Sequence, residues 1–143
     1  MNENRFVRAI ILNDAGHYLA LGEKRGTVKW NFPGGCVKRH ETFEQAVCRE
    51  IEEEIGLKVK KFELLHAGIF IFDGKEWEGR FFLVTDYLGE IKVSEPKKCI
   101  CLEFFTLKEL SKLNSTKEVL FNIAKSYKGI LKKREKVDQW QLV

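Results

Sequence analysis

The sequence predicts a single α/β domain over residues 1–143. The chain is long enough for one core, and 44% of its residues are hydrophobic. Stretches rich in β-branched and aromatic residues alternate with helical patterns, and no internal repeat or linker separates them. With 11 Gly and 2 Pro, and charged residues of both signs, the composition argues against disordered and collagen-like classes.

Two extended stretches are expected at the start of the chain. Residues 6–12 and 18–21 flank an Asn-Asp-Ala-Gly turn at 13–16, which predicts a hairpin. Residues 24–29 are polar and contain a glycine, so we predict a connection there. A short strand over 30–32 should then stop at the following Pro-Gly-Gly.

The second half should contribute three more strands and two helices. The strands are expected within 58–72, 76–87 and 98–105, with turns at Asp73-Gly74 and Leu88-Gly89. A short helix is predicted near 107–113, and a longer basic one from about 116 to 133.

The net charge of +4 is concentrated near the C-terminus. Residues 125–136 carry six basic side chains and one glutamate, so this segment is the main basic feature. It indicates either a solvated helix face or a contact for a phosphorylated ligand. The chain has no RNA-binding or zinc-finger signature, so nucleic acid is not the expected partner.

The start of the chain and its cysteines both indicate a reducing compartment. There is no apolar run of membrane-spanning length and no secretory signal pattern at the start, which predicts a cytoplasmic protein. The cysteines, Cys36, Cys48, Cys99 and Cys101, match no common zinc spacing. We therefore expect reduced thiols.

The segment 42–56 predicts a helix of about four turns with both ends marked. Thr42 followed by Gln45 is a capping-box pattern, and Gly56 can end the helix in a left-handed conformation. An apolar stripe recurs every four residues, at Phe43, Val47, Ile51 and Ile55.

Glu50, Glu53 and Glu54 fall on a second patch of this helix, roughly 90° from the apolar stripe, at the border between core and solvent. Their mutual repulsion would be offset by a hard divalent cation, which prefers carboxylate oxygens. The alternative is a solvated acidic face balanced by Arg49 and nearby lysines.

The residues around this patch follow a longer pattern, G-x5-E-x7-R-E-U-x-E-E-x-G-U, where U is a bulky aliphatic. It runs over residues 35–57 and begins at Gly35, with Glu41, Arg49, Gly56 and Leu57 at constrained positions. This pattern resembles the Nudix box, the signature of the Nudix hydrolases. The resemblance implies an α/β/α sandwich with a mixed β-sheet between helices.

The resemblance also implies a reaction and roles for the motif residues. Nudix hydrolases cleave a nucleoside diphosphate linked to another group, with Mg²⁺ or Mn²⁺. Glu50 and Glu54 are implied as metal ligands, and Glu53 as a third ligand, a water-mediated ligand or the general base. The Gly35 carbonyl would complete the shell after a tight turn at Gly34. Arg49 would orient a glutamate, and Glu41 would brace the loop or bind an accessory ion.

Substrate contacts lie outside the box. Arg25, with Lys24 as its rival, is the expected phosphate contact. Asn31 is predicted either to read a base edge or to brace the turn beside it. Aromatic residues could stack a base, although strand alternation should bury most of them; these are Trp30, Phe32, Phe70, Phe72, Trp77, Phe81 and Phe82.

One loop departs from the family pattern: Lys38-Arg39-His40 is basic where relatives are more acidic or contain glycine. Its two interpretations are that it assists phosphate binding or that it is simply exposed. Residues 94–105 resemble nucleoside triphosphate pyrophosphatases of the MutT-like branch. We therefore expect a small-molecule nucleotide substrate, a nucleoside triphosphate (ordinary or oxidised), cleaved to the monophosphate and pyrophosphate. The alternatives are ADP-ribose, a nucleotide sugar or a dinucleotide, or a nucleotide- or RNA-binding module without turnover. Either a monomer or a homodimer is compatible with the sequence.

Overall fold

The computed structural model describes residues 4–25, 27–94 and 101–113, and these residues form seven strands and two helices. The predicted helix at 116–133, its basic run and Cys99 lie outside these residues. In chain order the elements are β1 (Arg5–Ile10), β2 (Tyr18–Arg25), β3 (Thr27–Asn31), β4 (Gly34–Cys36), α1 (Phe43–Ile55), β5 (Lys58–Phe72), β6 (Lys75–Leu88), β7 (Cys101–Phe105) and α2 (Leu107–Lys112).

The strands form two sheets. The four-stranded sheet has the order β4-β1-β6-β5, and it is mixed because β1 pairs with β6 in parallel while the other pairs are antiparallel. The three-stranded sheet, β3-β2-β7, is antiparallel. The prediction of a mixed sheet is therefore confirmed for the larger of the two.

The central strand β1 separates two apolar layers. Val7 and Ala9 face a core that includes the apolar stripe of α1. Phe6 and Ile10, which point the opposite way because strand side chains alternate, join a second core against which Leu107 of α2 packs. The mixed sheet thus lies between the two helices, which confirms the α/β/α sandwich.

Helix α1 begins and ends where the sequence predicts. Thr42 is the N-cap, and its side chain and that of Gln45 form the reciprocal hydrogen bonds of a capping box. Gly56 ends the helix in the left-handed conformation, with φ of 73°. The predicted stripe of Phe43, Val47, Ile51 and Ile55 is buried.

Three local predictions are wrong. The expected hairpin of β1 and β2 is reduced to one bridge, Leu12 with Tyr18, because the two strands belong to different sheets. The predicted connection at 24–29 is largely strand, since Lys24 and Arg25 of β2 pair with Val28 and Thr27 of β3 in an antiparallel arrangement. The chain also resumes an extended course at Gly34 and forms β4 on the edge of the mixed sheet. Polar residues are tolerated in β3 because it is an edge strand.

Candidate active site

The site is assembled where β4 meets α1. The backbone of β4 pairs with β1, so that Gly35 lies opposite Val7 and Gly34 opposite Arg8. Gly34 has a φ of 153°, and a Cβ at this residue would overlap the Val7 carbonyl oxygen. Only glycine fits this close approach without displacing the central strand.

Glu54 is buried, with 7% of its surface exposed, and one carboxylate oxygen accepts the Gly34 N–H at 2.8 Å. The helical wheel placed Glu54 at the border between core and solvent, and that prediction is wrong. The reason is a contact across 20 residues: β4 covers this face of α1 and supplies a backbone donor to the carboxylate.

Gly35 makes room for a second carboxylate. A Cβ built on Gly35 would lie 2.5 Å from Oε1 of Glu50. Glu54 and Glu50 therefore approach two successive residues of strand β4, Gly34 and Gly35. Glu53, on the outer side of the patch, keeps 47% of its side chain exposed.

Arg49 connects the carboxylates of the loop and the helix. Its Nε and Nη2 donate to the two oxygens of Glu41 at 2.7 and 2.9 Å. Its Nη1 donates to Glu50 at 3.0 Å and to Glu53 at 3.1 Å, and Nη2 also donates to the Cys36 carbonyl at 3.1 Å. All five guanidinium N–H groups are thus used.

The hydrogen bonds of Arg49 change the pKa of the Glu41 carboxyl. The hydrogen bonds from Arg49 lower the pKa of the Glu41 carboxyl, and a hydrogen bond from the Lys38 N–H lowers it further. The pKa of Arg49 is raised in turn, chiefly by Glu41. Glu41 therefore braces the loop between β4 and α1 as a carboxylate, one of the two roles that the sequence left open.

Arg5 holds the same loop from the other side, and sequence reasoning missed it. Its guanidinium donates to the carbonyl oxygens of Lys38 at 3.0 Å and Glu41 at 3.1 Å, and lies 5.4 Å from the centre of the Phe43 ring. The available signal was an arginine at the first position of a strand whose other residues, apart from Arg8, are apolar.

The predicted metal ligands are neighbours, but they do not form a ready-made cage. Within the described ranges, no three His, Cys, Asp or Glu side chains are arranged to hold a metal ion. Arg49 donates hydrogen bonds to oxygens of both Glu50 and Glu53. The assignment of Glu50, Glu53, Glu54 and the Gly35 carbonyl as ligands remains a prediction.

The residues predicted to contact the substrate lie either in strands β2 and β3 or among the packed aromatic side chains. Lys24 and Arg25 lie at the end of β2, where they pair with Val28 and Thr27 of β3. The Asn31 side chain accepts the Phe32 N–H at 2.9 Å, which supports the bracing role. Each aromatic candidate belongs to a core or packs on another ring; these are Trp30, Phe32, Phe70, Phe72, Trp77, Phe81 and Phe82.

The cysteines that the structure describes are free thiols, as predicted: Cys36, Cys48 and Cys101. Burial and the nearby Glu52 raise the pKa of Cys48, which argues against a reactive thiolate there. In the part of the chain with described coordinates, no helix is long and apolar enough to cross a membrane.

Comparison with known proteins identifies the family of this chain. The model of the NUDIX domain family matches residues 3–127. An 8-oxo-dGTP diphosphatase from Proteus vulgaris is 42% identical over 62 residues, which cover 43% of this chain and 55% of that protein. The chain thus matches about half the length of this relative. A Buchnera aphidicola protein of the same name is 32% identical over 97 residues, or 66% of this chain and 73% of the relative.

Among solved structures, the MutT NUDIX hydrolase from Burkholderia pseudomallei is similar with a TM-score of 0.68 and 34% identity. The match covers 76% of this chain and 86% of that one. The family match extends well beyond the loop and helix of the box into both sheets. The chain is therefore a member of the Nudix family.

Proposed function

We propose that this protein is a metal-dependent pyrophosphohydrolase that converts a nucleoside triphosphate to the monophosphate and pyrophosphate. The observation that carries the proposal is that Glu50 and Glu54 both approach Gly34 and Gly35 of β4. Arg49 also donates hydrogen bonds to Glu50 and Glu53. Neighbouring carboxylates repel a negatively charged polyphosphate. They can bind it only through a cation that contacts both the carboxylates and the phosphates.

The residues fit Mg²⁺ or Mn²⁺. Glu50 and Glu54 offer hard oxygen ligands, and the missing Cβ of Gly35 lets Oε1 of Glu50 approach the backbone, 2.5 Å from where that carbon would lie. When bound, the cation would neutralise phosphate charge and make the attacking water more acidic. Glu50 and Glu54, with the Gly35 carbonyl, are the proposed ligands.

Glu53 is the proposed general base. It is the most exposed of the three helix carboxylates, with 47% of its side chain accessible against 15% for Glu50, so water can reach it. Arg49 holds it at 3.1 Å and thereby limits its rotamers. Water adds to one phosphorus of the anhydride, its proton passes to the carboxylate, and the bridging oxygen leaves with the other phosphate.

The names of the relatives support a nucleoside triphosphate as the substrate class. Two matched relatives are 8-oxo-dGTP diphosphatases, so oxidised purine triphosphates are the first compounds to test. We propose Arg25 as the phosphate contact, with Lys24 as the second candidate.

The test is a metal-supplemented screen with products identified by chromatography. Ordinary and oxidised triphosphates, ADP-ribose, nucleotide sugars, dinucleotides and capped RNA are compared at equal concentration. We expect a triphosphate to give the highest kcat/KM and to yield monophosphate and pyrophosphate. Preference for ADP-ribose or a dinucleotide would replace this substrate class, and binding without turnover would refute the enzymatic proposal.

A further inference from the structure

The basic loop between β4 and α1 is not used by the proposed chemistry. Lys38, Arg39 and His40 are all exposed. They lie in a loop that is held by hydrogen bonds. Arg5 donates to the backbone carbonyls of Lys38 and Glu41, and Arg49 and the Lys38 N–H donate to the Glu41 carboxylate. Because its backbone is held by these hydrogen bonds, the loop would lose little backbone entropy when its exposed cations bind an anion.

The loop is also directly connected to the carboxylate patch. The Lys38 N–H donates to Oε1 of Glu41 at 3.1 Å, and the same oxygen accepts from Arg49 at 2.9 Å. Arg49 in turn contacts Glu50 and Glu53. One carboxylate and one guanidinium therefore separate the backbone of the basic loop from the proposed ligands and base.

The local charge balance favours an anion at this position. Glu41 pairs with Arg49 at 2.7 Å and interacts more weakly with Lys38, so it neutralises the charge of Lys38 only in part. Arg5 donates to carbonyl oxygens rather than to carboxylates, which adds a third positive charge under the loop. We name Lys38, Arg39 and Arg5 the basic rim.

We propose that the basic rim binds the outer phosphates of the substrate and selects triphosphates or longer polyphosphates over diphosphate-linked nucleotides such as ADP-ribose. This inference rests on the proposed function, since it assigns the phosphate chain an orientation across the carboxylate patch. Additional phosphate charge beyond the cleaved anhydride would meet Lys38 and Arg39, whereas the ribose of ADP-ribose offers them no charge.

The experiment compares the double variant Lys38→Gln/Arg39→Gln with the matched control Lys60→Gln/Lys75→Gln. The control removes the same charge from exposed positions on the β5–β6 hairpin. Binding of inorganic tripolyphosphate is measured by calorimetry in EDTA, and kcat/KM is measured for the preferred triphosphate and for ADP-ribose with Mg²⁺. Circular dichroism verifies that both variants are folded.

We expect the rim variant to bind tripolyphosphate about tenfold more weakly and to lose about tenfold in the triphosphate to ADP-ribose ratio of kcat/KM, with the control within about twofold. An equal loss in the control, unchanged binding in the rim variant, or no binding by the unmodified protein would overturn the proposal. If no nucleotide is hydrolysed while tripolyphosphate binding behaves as expected, the proposed function and the selection between substrates fail, and only phosphate binding by the basic rim stands.

Discussion

Replacing Arg49 tests whether the site depends on a planar fork of donors or only on a positive charge. Arg49 makes five hydrogen bonds, of which the pair to Glu41 is bidentate. Lysine keeps the charge but has three donors on one nitrogen, so Arg49→Lys loses at least two of these bonds. At about 1 kcal/mol each for a side chain that is 20% exposed, the variant should lose about 2 kcal/mol of unfolding free energy.

Arg49→Met should lower the free energy of unfolding further, by about 3 kcal/mol at pH 7, because Glu41, Glu50 and Glu53 then face one another without a cation. The cost should depend on pH. The pKa of Glu41 is lowered in the folded protein, so its stabilisation is complete above the unfolded value of 4.5 and disappears as the pH falls through the lowered pKa. Mg²⁺ should raise the Tm of this variant more than that of the unmodified protein.

Urea unfolding at pH 7, 5 and 3 measures these differences, with Arg39→Met as an exposed control that should change stability by less than about 0.5 kcal/mol. Two results would refute the reasoning: an Arg49→Lys protein as stable as the original, or an Arg49→Met cost that is constant over the pH range.

Three further changes probe the rest of the site. Glu54→Gln should preserve the fold, since its amide oxygen can still accept the Gly34 N–H, and should lower kcat at least 100-fold by an order-of-magnitude estimate; normal turnover at saturating Mg²⁺ would contradict its role as a ligand. Gly34→Ala should destabilise the protein by roughly 3 kcal/mol or more in urea, because its Cβ meets the β1 backbone, whereas Gly74→Ala, with no atom near its Cβ, should cost about 1 kcal/mol. Asn31→Ala should lower the Tm by several degrees and reduce kcat/KM for all nucleotides alike; a loss confined to the preferred base, with unchanged Tm, would support base reading.

The parts of the molecule that local patterns specify were predictable. Thr42, Gln45 and Gly56 mark the ends of α1 through contacts within a few residues, and the apolar stripe identifies its buried face. The spacing of the box carries the family resemblance, and the family match agrees with it. The charge pairing of Arg49 with a glutamate also followed from one helical turn of separation.

What failed depends on contacts between distant residues. Nothing near Tyr18 indicates that its strand pairs with β3 and β7, because strand alternation identifies a face but not a partner. Glu54 is buried by a strand that the sequence did not predict, and Arg5 acts on a loop more than 30 residues away. Such positions emerge only when the sheet order is known.

The register of β4 on β1 has a thermodynamic consequence. The segment Gly34-Gly35, which carries the proposed metal-binding carbonyl, belongs to strand β4 of the four-stranded sheet, so the domain cannot unfold while that segment keeps its native pairing. A metal or nucleotide that binds only the native arrangement would stabilise the whole domain by about 2.7 kcal/mol at about 100 times its Kd. Unfolding midpoints can therefore rank metals and nucleotides by affinity before any product is measured, and also in variants that have lost turnover.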